Sequence, residues 1–345
     1  MPMNQEFRER LRAHAHRLYE LLEKFAQPKV LVVGDLTLDE FLVGQTERIS
    51  REAPVLIIRH EHTQQVPGGG ANAIYNLARL GNKNISAVGL VGDDPQGRAL
   101  CQIFQSADID ISGVIVDPDR PTVTKTRISA HARQSVTQQI VRVDRKSDQP
   151  PSGAIQNQLV EAIRQKIAQV DAVVCSDYNE GVFQAPVIAT ALQHPLVVVD
   201  TQKDLTRYRG ATIFTPNLPE AEQAVGYGIS PANMGQAGKD LLQLTQAQRI
   251  LITRGEEGMT LCSPHSRDDI PAFNRTQVFD VTGAGDTVVA ALTLALASGA
   301  DYWQAAVLGN LAASIVVRRF GTATTTVAEM GSALSQLLAN PMPGN

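Results

Sequence analysis

Cysteine is scarce in this chain, which carries three among 345 residues. Cys101, Cys175 and Cys262 are odd in number and far apart in the sequence. A disulfide framework needs paired cysteines in an oxidising compartment, whereas isolated thiols are typical of a reducing one. The cysteine content therefore argues against a disulfide-stapled secreted fold and predicts reduced thiols in a cytoplasmic protein.

An excess of positive charge is also absent, because 31 Lys and Arg are outnumbered by 35 Asp and Glu, for a net charge of −4. Proteins that bind nucleic acid or an anionic membrane surface usually carry a basic excess. No apolar run approaches the ~18 residues of a membrane-spanning helix, and the N-terminal segment lacks the apolar core of a signal peptide. We therefore expect a soluble protein with neither nucleic acid nor membrane as a partner.

The overall composition is that of a globular protein, with 43% apolar and 19% charged residues. This is enough for a sizeable core and argues against global disorder. Apolar residues recur at helical spacing near the N-terminus and stop before Pro28. We expect residues 1–27 to form an amphipathic helix, 28–338 a single domain and 339–345 a tail.

Apolar strand patterns alternate with helical patterns along most of the domain, most clearly after residue 154. This alternation predicts an α/β fold with a doubly wound, mainly parallel sheet flanked by helices. Residues 41–65 and 113–145 do not follow it; they are rich in short extended stretches around polar turns. We expect these two segments to form a small β-flap that acts as a lid.

Two acids, Asp35 and Asp39, lie at and just beyond the end of the first buried strand, residues 29–35. Open α/β sheets bind ligands at the carboxyl ends of their strands, and carboxylates accept hydrogen bonds from hydroxyl groups. A sugar is therefore a suitable ligand for this position. The alternative, an acid that caps a turn, is favoured for Asp35 and disfavoured for Asp39.

A glycine-rich segment, Gly68-Gly69-Gly70-Ala71-Asn72, precedes a helix predicted over residues 73–80. Glycines allow a ligand to approach the main chain closely, and the Asn72 amide can both donate and accept hydrogen bonds. The segment is not a G-x-G-x-x-G motif and does not directly follow a strand, which excludes a Rossmann dinucleotide site.

Two cations, Lys125 and Arg127, share one face of a predicted strand because strand side chains alternate. They are either the exposed charged edge of the flap or the binding groups for an anionic substrate.

The segment Asp280-Val281-Thr282-Gly283-Ala284-Gly285-Asp286 runs from a short β-type lead into a long apolar helical run. The first amides of a helix lack internal partners and attract an anion. An acid beside such a site suits a hydroxyl that loses its proton while it attacks a bound phosphorus. The alternative is a tight turn into a buried helix, with Asp286 as an acid favoured by the helix dipole.

Together the two glycine motifs resemble the two signatures of the ribokinase/PfkB family, with a similarity that extends over about residues 29–335. The resemblance implies a ribokinase-like fold and a sugar kinase that uses ATP and Mg²⁺. It implies that Asp286 is the catalytic base, with the amides of Gly283, Ala284 and Gly285 as its anion hole. We expect Asp286 to be ionised, because the helix N-terminus and Mg²⁺ both favour its charge.

The same resemblance assigns further roles by position. It implies that Gly68, Gly69, Gly70 and Asn72 hold the sugar. The nucleotide-binding residues that it implies are Asn217, Glu220, Thr253, Gly255, Gly258 and Asn310. Glu220 would order Mg²⁺ indirectly, and Asp280 with Thr282 would hold a monovalent cation such as K⁺. Family members often dimerise through the lid, so we expect a homodimer.

Within the family, several stretches resemble the kinases that act on D-glycero-D-manno-heptose 7-phosphate, and they imply a substrate role for Asp177. These stretches are residues 33–39, 48–55, 176–178, 208–212, 215–218 and 320–322. A phosphorylated acceptor would give Lys125 and Arg127 a ligand. The chain departs from this subgroup at Glu180, where Lys is usual, and at Thr201, where Pro is usual. It also lacks the H-x-G-H motif of the adenylyltransferase domain that often follows this kinase.

Two alternatives remain. The first is a different acceptor, with fructose 6-phosphate, a pentose or a nucleoside as candidates. A catalytically silent sugar-binding homologue is the other, but such a protein would be expected to have lost Asp286, a signature glycine, Asn217 or Glu220, and all of these are present.

Overall fold

The structure, a computed structural model, describes residues 5–132, 137–274, 278–319 and 321–339. The helices of these residues are α1 (Gln5–Ala13), α2 (Ala15–Lys24), α3 (Gly70–Arg79), α4 (Pro95–Ser106), α5 (Gly153–Ile167), α6 (Ala185–Ala191), α7 (Leu218–Val225), α8 (Met234–Thr245), α9 (Ala284–Ala297), α10 (Tyr302–Val316) and α11 (Val327–Ala339). The strands are β1 (Val30–Gly34), β2 (Leu36–Ile49), β3 (Leu56–Gly69), β4 (Ile85–Gly92), β5 (Asp110–Asp117), β6 (Val123–His131), β7 (Gln138–Arg145), β8 (Ala172–Asp177), β9 (Val197–Thr201), β10 (Ile213–Phe214), β11 (Arg249–Thr253), β12 (Met259–Cys262) and β13 (Arg267–Ile270). The tail after residue 339 lies outside the described residues.

The main sheet contains nine of the described strands in the order β13-β12-β11-β10-β9-β8-β1-β4-β5. The strands from β11 to β5 pair in parallel, whereas β12 and β13 are antiparallel. Successive residues of β1 enter different cores: Val30 and Val32 pack on one face of the sheet, and Leu31 and Val33 on the other. The sequence of β1 is continuously apolar because both faces of the strand are covered. The predicted doubly wound α/β fold is confirmed.

The lid is a separate sheet of four strands in the order β3-β2-β6-β7. Its first two strands form an antiparallel pair and each contains 14 residues, far more than the two short stretches predicted within residues 41–65. The prediction that the lid includes residues 113–116 is wrong, because β5 pairs with β4 in the main sheet. After α4 the chain returns to the edge of the main sheet before it enters the lid at β6.

One residue, Asp35, separates the main sheet from the lid, because β1 ends at Gly34 and β2 begins at Leu36. The Asp35 amide donates to the Ser176 carbonyl over 3.1 Å, and its carbonyl accepts from the Gly70 amide over 2.9 Å. On the return path, β3 continues directly into α3. The lid thus joins the main domain at a hydrogen-bonded junction between β1, β8 and α3.

The N-terminal segment forms two helices, α1 and α2, where one helix was predicted. The helices are interrupted at His14, whose ring packs 5.1 Å from that of Trp303. Phe7 packs against Phe273 and Trp303, with ring centroids 6.0 and 5.8 Å apart. The large apolar side chains that follow are also buried, namely Leu11, Leu18, Leu21, Leu22 and Phe25. Both helices therefore belong to the core of the main domain.

The three cysteines are free thiols, as the sequence predicted. In the described ranges, the helices are too short or too polar for any of them to traverse a bilayer.

Candidate active site

Asp286 lies in the first turn of α9, beneath the lid, and is 4% exposed. Its two carboxylate oxygens accept hydrogen bonds from different elements. Asn72 Nδ2, at the start of α3, donates to Oδ2 over 2.7 Å, and the Tyr178 hydroxyl, just after β8, donates to Oδ1 over 2.9 Å. The carboxylate is thus held on both sides while each oxygen keeps a second lone pair for a further donor.

A polar network behind Asp286 fixes the orientation of the Asn72 amide. Asn76 Nδ2 donates to both the carbonyl and Oδ1 of Asn72, over 2.9 and 3.1 Å. The Thr287 hydroxyl in turn donates to Asn76 Oδ1 over 2.9 Å. Because Asn72 Oδ1 already accepts from Asn76, its NH₂ group must face Asp286.

The environment of Asp286 raises its pKa to about 6, chiefly because burial disfavours the charged form. Hydrogen bonds from Asn72 and Tyr178 and the charge of Lys125 lower the pKa, while the charge of Asp39 raises it. The pKa of Asp286 thus lies above its ordinary value, although the helix N-terminus was expected to favour the charged form. A carboxylate with this pKa is mainly ionised at pH 7, and it takes up a proton more readily than an exposed acid.

The N-terminus of α9 offers backbone donors to an anion. The Ala284 amide donates to the Val281 carbonyl over 3.2 Å, whereas, within the described residues, no backbone acceptor reaches the amides of Gly285 and Asp286. A Cβ atom at Gly285 would meet nothing within 4 Å, so this position faces open space. The predicted β-type lead before Gly283 is not a strand in the described residues from 278 onward.

A cavity of about 680 Å³ opens in front of Gly285, within the size range of small-molecule sites. It brings together most of the predicted nucleotide residues with the start of α9: Asn217, Thr253, Gly255, Gly258, Asn310, Ala284 and Gly285. Apolar side chains form most of the rest of its lining, namely Met259, Ala272, Phe273, Val278, Val281, Val288, Ala313 and Val317. An apolar chamber that ends at free helix amides suits a ligand with a flat apolar part and an anionic end.

Three of these residues shape the cavity wall. Asn310 Nδ2 donates to the Pro271 carbonyl over 2.7 Å and so anchors the segment between β13 and α9. Gly255 and Gly258 adopt positive φ angles of 55° and 92°, and a Cβ at Gly258 would lie 2.1 Å from the Ile270 carbonyl oxygen. The turn after β11 therefore requires glycine at Gly258 and favours it at Gly255.

Asn217 and Glu220 form a capping box at the start of α7. Asn217 Oδ1 accepts from the Glu220 amide, and Glu220 Oε2 accepts from the Asn217 amide, each over 2.9 Å. The resemblance assigns these two residues to Mg²⁺ and phosphate. In the structure they stabilise the N-terminus of α7 at the rim of the cavity. Burial raises the pKa of Glu220.

The acids around the cleft favour a cation. Burial, followed by the charges of Asp286 and Glu220, raises the pKa of Asp200, which lies within β9 near its carboxyl end. In the part of the chain that is described, no group of three or more His, Cys, Asp or Glu residues could hold a metal by itself.

The predicted monovalent-cation residues lie at the loop before α9. The Asp280 carboxylate accepts hydrogen bonds from the Thr282 and Gly321 amides, both over 2.9 Å, while Thr282 itself is exposed. Asp280 therefore braces two loops beside the cavity.

Lys125 and Arg127 both face the site from the lid, so they are not an exposed flap edge. The register of β2 with β6 pairs Asp39 with Lys125 and Phe41 with Arg127. Arg127 Nη1 lies 2.9 Å from Asp39 Oδ1, and both side chains are largely buried. Lys125 Nζ lies 5.7 Å from the centre of the Tyr178 ring, and among the described residues no carboxylate lies within ion-pair distance of it.

Asp35 and Asp177 are buried and do not open to the cleft. Asp35 accepts from the amides of Tyr178, Glu180 and Val182 over 2.9 to 3.0 Å. Asp177 accepts from the Tyr208 hydroxyl, from Arg207 Nη1 and from the Asn179 amide over 2.8, 3.0 and 2.9 Å. Both acids therefore hold the loop after β8. For Asp35 this favours the capping alternative, and the substrate role of Asp177 stays a prediction.

The glycines before α3 allow close backbone packing. A Cβ at Gly68 would lie 2.7 Å from the Asp39 carboxyl carbon, and one at Gly70 would lie 2.9 Å from Gly34 Cα. Gly69 adopts a positive φ of 53° as the N-cap of α3. The segment thus brings Asn72 and Asp39 to the same site.

Sequence reasoning missed Tyr178 as a site residue, although it lies in one of the quoted stretches. Its position just beyond the carboxyl end of β8, the neighbour of β1 in the sheet, was the available signal. Asn76 and Thr287 were also missed, because nothing local in the sequence shows that α3 and α9 pack together.

Comparisons with known proteins found a family model and similar sequences. Residues 27–329 match the family model described as pfkB family carbohydrate kinase. The protein named "Bifunctional protein HldE" from Geobacter metallireducens is 43% identical over 311 residues, which cover 87% of this chain and 61% of that relative. The chain thus spans less than two thirds of the length of this curated relative.

Solved structures share the fold at low sequence identity. Phosphofructokinase-2 from Escherichia coli in complex with potassium has a TM-score of 0.73 and 17% identity, over 90% of this chain and 99% of that one. Arabidopsis thaliana ribokinase complexed with ribose and ATP has a TM-score of 0.68 and 20% identity, over 91% and 99%. The ribokinase-like fold is confirmed.

Proposed function

The chain belongs to the pfkB family of carbohydrate kinases, and on that basis we propose that it transfers the γ-phosphoryl group of ATP to a hydroxyl of a sugar phosphate. As the acceptor we propose D-glycero-D-manno-heptose 7-phosphate, with the 1,7-bisphosphate as product. One observation carries the proposal: Asp286 lies between a cavity that ends at free helix amides and a lid face that carries Lys125.

Asp286 acts as the general base in this proposal. Asn72 and Tyr178 hold its carboxylate in place, so that it can accept the proton of the attacking hydroxyl. The amides of Gly285 and Asp286 stabilise the charge that develops on the transferred phosphoryl group. The lid covers the acceptor and excludes water.

ATP binds in the 680 Å³ cavity, with its base between the apolar walls and its phosphates toward α9. Glu220 at the rim would order Mg²⁺ indirectly, beside those phosphates, and the ion would supply charge neutralisation when bound. Asp280 and Thr282 remain predicted ligands of a monovalent cation, and the dependence of the rate on K⁺ tests them.

The positive charge of Lys125 supports the proposal that the acceptor carries a phosphate. Lys125 is a cation without an ion-pair partner among the described residues, and its charge reaches Asp286. Such a group suits a substrate that brings its own anion. The heptose is supported by the subgroup stretches and by the 43% identity with a relative named bifunctional protein HldE.

The two departures from the subgroup have partners within this chain. Lys146 Nζ lies 3.4 Å from Glu180 Oε2, so the reversed charge is paired locally. The Thr201 hydroxyl donates to Asp177 Oδ2 over 3.3 Å. Neither departure leaves an isolated charge at the site, which is compatible with the proposed acceptor.

A panel of acceptors with Mg-ATP tests the proposal, with ADP release as the rate and ³¹P NMR to locate the new ester. We expect the highest kcat/KM for the heptose 7-phosphate among heptose 7-phosphate, fructose 6-phosphate, ribose and a nucleoside. Asp286→Asn is the matched control for background hydrolysis. A preference for an unphosphorylated sugar would refute the proposed acceptor, and no turnover with any of them would favour the silent homologue.

The reduced thiols and the use of ATP are consistent with a cytoplasmic location, which is part of the proposal.

A further inference from the structure

Tyr178 is held firmly enough to act on Asp286 through its hydroxyl group. The loop that carries it is clamped by the Asp35 carboxylate, which accepts from the Tyr178 amide over 2.9 Å and from two further amides of the loop. The next residue, Asn179, adopts a left-handed φ of 61°, which turns the chain away from the site. The ring is thus directed toward α9, and its hydroxyl donates to Asp286 Oδ1 over 2.9 Å.

We propose that Tyr178 is a positioning residue for phosphoryl transfer, because its hydroxyl holds Oδ1 of Asp286 and keeps this carboxylate ionised and aimed at the acceptor hydroxyl. The inference rests on the proposed function, in which Asp286 is the base. Tyr178 acts through Asp286 and contacts neither substrate in this scheme.

The charges that face Asp286 explain why the carboxylate needs such a donor. Asp39 on β2 faces Asp286 with a negative charge, whereas Lys125 on β6 brings a positive one. Asp200 on β9 and Glu220 on α7 are the other acids of the cleft, and burial raises the pKa of both. Burial and the charge of Asp39 favour protonation of Asp286. Lys125 and the hydrogen bonds from Asn72 and Tyr178 oppose them.

The phenol of Tyr178 is a donor over the whole working pH range. Burial, together with the nearby charge of Asp286, raises its pKa well above the ordinary value, so it stays protonated. A tyrosine that kept its proton and faced a neutral Asp286 would gain less from this contact, because hydrogen bonds to charged groups are the stronger ones. The contact therefore favours the ionised base.

The lid contributes to this arrangement through Lys125. Its ammonium lies 5.7 Å from the centre of the Tyr178 ring, close enough for a cation–π attraction. A cation over the ring draws electron density from the phenol and strengthens its hydroxyl as a donor. With the lid over the site, Lys125 thus strengthens the hydrogen bond from Tyr178 to Asp286.

Tyr178→Phe tests the inference through the pH profile of kcat/KM for the best acceptor of the wild type. The acid limb should move upward by about one pH unit, since a single hydrogen bond to a charged group typically corresponds to a shift of that order. KM for ATP should stay within about twofold, because Tyr178 does not line the nucleotide cavity.

Tyr208→Phe is the matched control. It removes the same kind of contact, a phenol that donates to the carboxylate of Asp177 over 2.8 Å, but Asp177 does not contact Asp286. This variant should keep the wild-type acid limb. An unshifted limb in Tyr178→Phe, or equal shifts in both variants, would overturn the proposal.

Replacing tyrosine with 3-fluorotyrosine throughout the protein gives a second test that does not depend on the folding of Tyr178→Phe. Fluorine keeps the hydroxyl and makes it a stronger donor, so the acid limb should move to lower pH. An unchanged limb would contradict the inference.

Failure of the proposed function can be told apart from failure of this inference. If the wild type phosphorylates none of the acceptors, the proposed function is refuted. The carboxyl carbon of Asp286, assigned in ¹³C-Asp-labelled protein by its loss in Asp286→Asn, still reports its titration midpoint. Tyr178→Phe should raise that midpoint, and an unchanged midpoint would refute the inference on its own.

Discussion

Asn72 Nδ2 lies 2.7 Å from Asp286 Oδ2, although the two residues are 214 positions apart in the chain. The contact joins the two glycine-rich motifs, because each residue stands in the first turn of the helix that follows its motif. The helix that the resemblance assigns to the sugar thus positions the base. A substitution that moves Asn72 will therefore also move the carboxylate of Asp286, through this hydrogen bond.

Asp286→Asn should lower kcat by ~10²–10⁴, the usual effect of losing a general base. An amide fits the same space: its oxygen can accept from Asn72, and its NH₂ can donate to the Tyr178 hydroxyl oxygen. KM values for ATP and acceptor should change little. Steady-state kinetics with both substrates measure this, and a variant that turns over at the wild-type rate would show that Asp286 is only an early-helix acid.

The same substitution should raise the melting temperature at pH 8 and leave it unchanged near pH 4. The folded state raises the pKa of Asp286 from 3.8 to about 6, so its charge destabilises the fold above pH 6 by roughly 3 kcal/mol, and not below pH 3.8. Removing the ionisable group removes this pH-dependent penalty. A lower melting temperature at pH 8 would instead indicate the loss of a favourable charge at the helix N-terminus, which is worth about 0.3–1 kcal/mol.

Gly283→Ala and Gly285→Ala form a matched pair that separates backbone strain from cavity filling. Gly283 has a φ of 75°, and its added methyl would lie 2.7 Å from Asn72 Nδ2, so this variant should lose both stability and kcat. Gly285 is helical and open, so alanine should keep or raise stability by up to about 1 kcal/mol, yet raise KM for ATP. Thermal melts and ATP kinetics measure both, and identical behaviour of the two variants would contradict the proposed anion site.

Lys125→Met should raise KM for the phosphorylated acceptor by about 10–100-fold, the effect of losing one charge-assisted contact. KM for ATP should stay near the wild-type value. Arg127→Ala should raise the acceptor KM too, but it also leaves the buried Asp39 carboxylate unpaired and should lower stability. An unphosphorylated sugar that wild type and Lys125→Met use equally well, together with an unchanged KM for the sugar phosphate, would refute the lid as the phosphate site.

The protein should be a homodimer that uses its lid. All residues of β7 are exposed, including Val143 at 52%, and β7 is an edge strand of a four-stranded sheet. Such an edge gains most from a partner. Light scattering at micromolar concentration should give the mass of a dimer, and Val143→Glu should give that of a monomer. Val116→Glu, at an equally exposed site on β5 of the main sheet, should remain a dimer; a monomeric wild type would refute the prediction.

The fold was predictable because its signals are local. Alternating strand and helix patterns specify a parallel sheet, and buried strands such as β1 have continuous apolar sequences. The assignment of β5 to the lid failed because a strand pattern does not reveal its partner strand. Pairing with β4 decides where β5 belongs, and that pairing is a long-range property.

The site was predictable where a motif fixes the backbone and less so where side-chain direction matters. The positions of Asp286, Asn72 and the cavity glycines follow from their motifs. Asp35 and Asp177 stand at strand ends as expected, but their carboxylates turn inward to backbone amides and to Tyr208. No sequence pattern distinguishes an acid that clamps a loop from one that faces a ligand. Tyr178 was missed for the converse reason, because a tyrosine near Ser and Asp has no sequence pattern typical of catalysis.

The junction at Asp35 has a consequence for how such a protein can diverge. The first half of the lid, β2 and β3, leaves the main sheet after one residue and returns directly into the helix that carries Asn72, so this half and that helix are built from one continuous stretch of chain. A lid grafted from a paralogue would alter the acceptor site and the placement of the base together. Acceptor preference in this lineage is therefore expected to change by point substitutions on the inner lid face, at positions such as Lys125, and not by recombination of whole lids.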